Sequence, residues 1–359
     1  MRPIRILVDS FADANELNSQ MVNGREIASR LDPDRFEVTM FLCGEPDRRL
    51  AERPNTRFIR LAPHGQTIRI FREFIFGRHQ IVFYIKSSPA SWLYLALRPK
   101  WLDRRRVVGT IESQSDLYNE PTIKASQIRL WERTILHSDV LFSNSTSVRT
   151  SLEKVYGLPS EVIPTGVDTK FFTPDWQRPA NQRRRVLFVG SLRPFKGPQL
   201  LVRAASRFPE ADFVIAGDGL MASELKSQVE QERLTNCELV GSLNHSDLLQ
   251  QYRKADVFMF PSRWEGSPKV ILEAAACGLP VIARGDYGPE TVAEGQTGYL
   301  GKSDDELLER LRYLLGNSDL RRNMGRASRA LSERFDWNVV VPLWEEAFAR
   351  EASRLGHRS

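Results

Sequence analysis

Between Asp256 and Ala283 the sequence reads DVFMFPSRWEGSPKVILEAAACGLPVIA, and no other stretch limits the possible folds as much. Val257–Phe260 is an apolar run of strand length, ended by Pro261 and Ser262. Ser267 is a favourable N-cap, and Pro268 suits the first helical position. Val270, Ile271, Ala274 and Ala275 share one helical face, Gly278 stops the helix, and Val281–Ala283 opens another strand. Apolar strands joined through a helix argue for parallel βαβ units.

The same alternation runs through the chain. Ile4–Val8, Phe36–Leu42, Thr56–Leu61, Ile81–Ile85, Val107–Ile111 and Val140–Ser143 are strand candidates in one half. Val186–Val189, Phe213–Asp218 and Cys237–Val240 follow in the other. A helix is expected over Gln127–His137, and others over Asp304–Gly316, Leu320–Arg334 and Trp337–Glu351. Loops and a short helix are expected over Asp286–Glu290 and Gly295–Leu300. At 359 residues two domains are the default. TPDWQRPANQRRR, Thr173–Arg185, is rich in proline and charge and reads as their linker. The expected division is 1–174, a linker 175–185, 186–335, and a final helix within 336–359.

Composition excludes several classes. With 41% hydrophobic and 9% aromatic residues the chain is globular. No apolar run approaches the roughly 18 residues of a membrane span, and MRPIRILVDS reads as strand entry rather than a signal peptide. Cys43, Cys237 and Cys277 read as reduced, buried thiols of a cytoplasmic protein. The first turn lacks G-x-G-x-x-G, against an NAD-binding domain. The five histidines show no ligand spacing, so no metal site is expected. Net charge is +6, and over Arg69–Arg106 nine basic residues face two acidic ones. That excess suits a solvated face, an anionic membrane surface or a phosphorylated acceptor. Nucleic acid is not expected, since no recognised module accompanies the charge. RIFREFIF, Arg69–Phe76, puts Ile70, Phe71, Phe74 and Ile75 on one side of a helix. Such a stripe is either core packing or an interfacial anchor.

Two carboxylates draw the chemistry to the opening stretch. Glu265 lies beyond the carboxyl end of its strand, and Glu273 lies one turn into the helix. Ligands bind at that edge of an open α/β sheet, and free amides at a helix start favour phosphate. Glu273 could accept from a ribose hydroxyl and Glu265 from a sugar hydroxyl. The alternative is that both are solvated acids at a helix end.

PSRWEGSPKVILEAAACGLPVIA resembles the E-x7-E signature of retaining glycosyltransferase family 4 and its surroundings. The resemblance is densest over Val186–Ala283. GSLRPFKG is similar to the family's Gly-Arg-Leu…Lys-Gly motif, with Ser191 in place of its arginine and Arg193 two residues on. Gly190 lets the chain leave its strand closely, and Lys196 beside a helix start is implied as a diphosphate ligand. Gly217 and Gly219 of AGDG resemble the turn that brings backbone to the nucleotide, and Gly241–Leu243, with Ser242 and Leu243 as the implied contacts, the loop against its base. Gly266, Ser267 and Pro268 complete the implied donor set. EVIPTGVDTKFF, Glu161–Phe172, resembles a segment entering the interdomain cleft, where Asp168 could equally cap a turn. Glu112 of VVGTIE stands where the family often has a histidine beside the reacting sugar, and Asn18–Ser19 stand where it commonly has a Gly-Gly pair.

The resemblance implies an α/β GT-B fold. Two Rossmann-like doubly wound domains face each other across a cleft, and the last helix crosses back to the first domain. It implies transfer of a sugar from a UDP- or GDP-sugar to a glycan, glycolipid or lipid-linked acceptor, with retention at the anomeric carbon. Lys196, Arg193, Glu265 and Glu112 would be the catalytic groups, with no cofactor and no metal. A cell-surface polysaccharide pathway at the inner face of the membrane would suit such an enzyme. Two other readings stay open: a catalytically weak binding subunit of a glycan-assembly complex, and a nucleotide-sugar epimerase.

Overall fold

A computed structural model describes residues 2–14, 19–62, 64–98, 105–114 and 125–356. Asn18 and Arg104 lie outside the described residues. The chain divides into two compact units, Met1–Pro164 with Trp337–Ser359, and Thr165–Asp336. The division falls ahead of the proline- and charge-rich stretch, which belongs to the second unit. Contacts explain this. Val167 N donates to Phe335 O at 2.9 Å, Thr169 N donates to Asp336 Oδ2 at 3.1 Å, and Phe172 is buried in the second unit's core.

The first unit holds a seven-stranded parallel sheet. Its strands are β1 (Ile4–Phe11), β2 (Phe36–Leu42), β3 (Thr56–Arg60), β4 (Ile81–Phe83), β5 (Arg106–Ile111), β6 (Val140–Ser143) and β7 (Glu161–Val162). Their order is β3-β2-β1-β4-β5-β6-β7. Side chains alternate between faces, so Ile6 and Val8 enter one core while Leu7 enters the other. β4 stops at Phe83 rather than Ile85, because Tyr84 takes a left-handed backbone with φ 62°. The helix expected over Gln127–His137 breaks into Ala125–Glu132 and a 3₁₀ turn, Ile135–His137. Thr134 Oγ1 donates back to Leu130 O at 2.7 Å, a local bond that competes with helix continuation.

The helix Trp337–Gly356 completes this unit. Trp337, Trp344 and Phe348 are buried in the core on one face of the sheet. Phe348 meets Phe83 at a centroid distance of 4.8 Å, and Trp344 meets Phe142 at 5.0 Å. Glu351, fully buried, pairs with Arg106 of β5 at 2.7 Å. On the other face, the stripe of the helix Gln66–Phe76 is core: Phe74 is buried against Tyr94, and Ile70, Phe71 and Ile75 pack beside it. Ile68 and Phe76 remain exposed. Cys43 is exposed and Cys237 half-buried, so only Cys277 is the buried thiol its apolar context suggests. Among the described residues no helix is long and apolar enough to cross a membrane.

The second unit holds six parallel strands, β8 (Arg184–Val189), β9 (Ala211–Ala216), β10 (Cys237–Gly241), β11 (Val257–Phe260), β12 (Val281–Arg284) and β13 (Gly298–Gly301). β13 replaces the loop expected there. Two of its four residues are glycine, which hides a strand from propensity, and pairing with β12 supplies what propensity lacks. The order is β10-β9-β8-β11-β12-β13. Connections leave β8 toward β9 on one side and return at β11 on the other. The crevice beyond the carboxyl ends of β8 and β11 is therefore the switch point at which such sheets bind ligands.

Candidate functional site

Two loops meet at that switch point. One follows β8 and runs from Gly190 into a 3₁₀ turn, Pro194–Lys196. The other follows β11 and runs from Pro261 to Pro268. They are joined by backbone: Arg263 N donates to Phe195 O at 2.9 Å. Gly197 makes the close approach possible. Its φ is 72°, and a Cβ there would lie 2.8 Å from Pro261 O.

This junction brings Lys196 onto Glu265 in a direct ion pair. Ser262 Oγ donates to the same Glu265 oxygen at 2.6 Å. The ammonium sits 5.3 Å from the Phe195 ring centroid and 5.4 Å from that of Phe260. Both partners are largely withdrawn from water, at 19% and 12% side-chain exposure. Aromatic walls and low exposure reduce screening, so the pair is stronger than one on an open surface.

Loops after three neighbouring strands stack on one another here. Gly217 N donates to Gly241 O at 2.8 Å, and Leu192 N donates to Asp218 O at 2.9 Å. Gly217 has φ 142°, and a methyl group on it would stand 1.9 Å from Gly190 O. Gly190, Gly217 and Gly219 thus line one edge as bare backbone. Ser242 is exposed and Leu243 half-buried against the core. Ser191 and Arg193 are both exposed. The Arg193 carbonyl accepts from Lys196 N at 3.0 Å.

The helix beyond Glu265 spans Lys269–Ala276. Pro268 occupies the N-cap with ψ 117°, so the helix starts one residue later than Ser267 and Pro268 suggest, and no side chain caps it. Gly266 and Pro268 are buried in the turn before it. Glu273 is buried at 7% exposure and accepts from Tyr252 Oη at 3.0 Å. Burial pushes the Glu273 carboxyl up from its ordinary value, while Lys269, His245 and the Tyr252 bond pull it back. Burial and the neighbouring Glu273 push the Tyr252 phenol well above its usual range. A second buried phenol, Tyr287, is pushed up by burial and then by Glu265 and Asp286. Sequence reasoning missed Ser262, Tyr252 and Tyr287. Only Ser262 carried a signal, standing three residues before Glu265.

Glu112 belongs to the first unit, beyond the end of β5. It accepts from Asn23 Nδ2 at 2.9 Å and from the Tyr84 phenol, and Asn144 Nδ2 donates to its carbonyl at 3.1 Å. Asp168 Oδ1 accepts from the amides of Lys170 and Phe171 at 3.1 and 3.0 Å, which is a turn cap.

Comparison with known proteins bears on this geometry. The profile of the glycosyl transferases group 1 matches residues 172–331, and that of Glycosyltransferase Family 4 matches residues 25–171. A D-inositol 3-phosphate glycosyltransferase of Paenarthrobacter aurescens (strain TC1) is 30% identical over 238 residues, 60% of this chain. The matched stretch spans 58% of that relative's length. In three dimensions the chain is similar to sucrose-phosphate synthase from Thermosynechococcus elongatus, with a TM-score of 0.81 at 20% identity over 97% of this chain and 99% of that one. It is also similar to Anabaena Alr3699/HepE, solved with UDP-glucose, with a TM-score of 0.75 at 20% identity over 98% and 100%. At such identities the likeness is one of fold, two Rossmann-like sheets of the GT-B type.

Proposed function

The chain belongs to the group 1 glycosyl transferases of glycosyltransferase family 4, and from that premise we propose that it moves a sugar from a UDP-sugar to a glycan, glycolipid or lipid-linked acceptor, with retention at the anomeric carbon. The observation that carries this reading is the Lys196–Glu265 pair at the switch point of the second sheet. A diphosphate entering there meets the Lys196 ammonium, the bare backbone of Gly190, Gly217 and Gly219, and the start of the helix Lys269–Ala276. It competes with Glu265 for Lys196. Glu265, released, accepts from a hydroxyl of the sugar, while Glu273 accepts from the ribose. Charge developing on the departing diphosphate strengthens its hold on Lys196, so the contact lowers the barrier and does more than bind. UDP is the first choice because a protein of the same fold was solved with UDP-glucose.

A thermal-shift screen of UDP-, GDP- and ADP-glucose tests the donor. One nucleotide sugar at 100 times its Kd should raise the melting temperature by about 5–10 °C, from ~2.7 kcal/mol of linkage. No shift with any of the three would remove the donor site. Anomeric analysis of the product tests retention. A second reading, a binding subunit without turnover, is favoured by Glu112, already engaged by Asn23 and Tyr84. Donor binding with neither hydrolysis nor transfer of labelled sugar would select it.

Work at an anionic membrane surface is part of the proposal. On the helix Gln66–Phe76, exposed Ile68, Arg72 and Phe76 recur every four residues, with exposed Arg69 beside them. Arg69→Glu with Arg72→Glu should weaken co-sedimentation with phosphatidylglycerol vesicles by about tenfold or more. Unaltered sedimentation would end the membrane part alone.

A further inference from the structure

The second sheet has another opening at its opposite end. A cavity of about 330 Å³ lies at the amino ends of β8, β11 and β12, away from the loops that carry Lys196 and Glu265. Its cations are Arg178, Arg184, Arg253, Arg321 and Arg322, and its acids are Asp175 and Asp256. Asp256 is already engaged on both oxygens. Its Oδ1 accepts from Arg178 Nη2 at 2.8 Å, and its Oδ2 accepts from Asn181 Nδ2 at 2.7 Å and from Arg185 N at 2.8 Å.

The guanidiniums keep donors unused. Arg178 Nη1 is buried with no hydrogen-bond partner. Among the described residues Arg321, at 7% exposure, donates only through Nη1, to the carbonyls of Leu314 and Leu315. The Arg184 guanidinium donates once among the described residues, to Asn181 O at 3.1 Å. Burial, and then Arg184, Arg178 and Arg322, pull the Arg321 guanidinium below its ordinary value, against the single opposing pull of Asp256. Crowding like charges around a buried cation is costly, and an anion among them would offset that cost. The other wall is apolar. Trp176 closes over Gly278, where an added Cβ would meet its ring at 2.5 Å, and Leu279 and Pro280 continue the surface.

We propose that this cavity is a binding site for a phosphate anion, carried by a small phosphorylated metabolite whose body lies against Trp176. The planar forks of Arg178, Arg184, Arg321 and Arg322 suit the tetrahedral oxygens of a phosphate, which accept two parallel hydrogen bonds from one guanidinium. A volume near 330 Å³ holds a ligand of monosaccharide-phosphate size. The site is separate from the donor site and stands whether or not the transferase reading does.

Melting temperature and intrinsic fluorescence measured against inorganic phosphate and glucose 6-phosphate provide the test. The native protein should be stabilised by millimolar anion, with quenching that is lost in Trp176→Phe. Lys196→Ala should respond like the native protein, whereas Arg184→Gln with Arg322→Gln should bind about tenfold more weakly. Arg322 is largely exposed and gives up an i,i+3 surface pair with Asp319, and Arg184 gives up one backbone contact, so the double variant tests charge with little cost to folding. Tighter binding of the sugar phosphate than of phosphate assigns the ligand to a metabolite; equal binding assigns it to the free ion. No response at about 10 mM of either anion, an unchanged response in the arginine variant, or a response abolished by Lys196→Ala would overturn the proposal.

Discussion

Lys196→Ala is expected to lower sugar transfer by at least ~10²-fold, a loss of about 2.7 kcal/mol of transition-state stabilisation. The ammonium sits inside the switch-point crevice, in contact with Glu265 and between Phe195 and Phe260. Truncation also leaves Glu265 partly buried without its partner, so some loss of stability accompanies it. The two effects separate in the double variant Lys196→Ala with Glu265→Gln. It removes both charges, so it should melt near the native temperature and still not turn over. If the double variant recovered transfer together with stability, Lys196 would be a structural cation and the site assignment would fail.

Glu273→Gln should do the reverse to stability. The Glu273 carboxyl is raised by burial from its ordinary value of 4.5. The folded state therefore holds this proton to a higher pH than the unfolded chain does. As pH climbs from 4.5 to the raised folded value, stability falls, and above that value the deficit is constant. A neutral amide of the same shape keeps the Tyr252 hydrogen bond and removes the deficit. The variant should melt about 2–4 °C higher near neutral pH, for ~1 kcal/mol gained in a unit of this size. Below pH 4.5 the difference should vanish. Turnover should fall by ~10²-fold, since an amide accepts a ribose hydroxyl far less strongly than a carboxylate. Equal melting curves across pH would mean the carboxylate is not strained by its site, and near-native turnover would mean it does not hold the donor.

The geometry of the switch-point segment was legible because it is local. Strand, turn, acid and helix succeed one another within Asp256–Ala283, and the spacing of Glu265 and Glu273 survives any uncertainty in element ends. The one-residue shift at Pro268 shows that limit. Partners brought by tertiary packing were not legible. Tyr252 lies 21 positions from Glu273 on another helix, and nothing in its surroundings marks it as a donor. Lys196 and Glu265 were each read toward a ligand, and their contact with each other needs the 69-residue return that the sheet makes. The division of the chain misleads for a related reason. Thr173–Arg185 has a linker's composition, yet Arg178 and Asn181 are bound to Asp256 and Trp176 to Gly278. Charge and proline describe how a segment is solvated, whereas only contacts decide which body it joins.

The buried face that Trp337, Trp344 and Phe348 cover has a bearing on how the protein is made. The ribosome finishes Pro164 long before it reaches Phe348, and at roughly 5–20 residues per second the interval is about 10–40 s. Throughout that time Ile27, Ala28, Leu31 and Leu50 cover only part of that oily side of the nascent first sheet, while the second unit can emerge and close by itself. Expression should accordingly depend on chaperone supply, and a chain cut after Asp336 would keep its second half sound while its first half clumps.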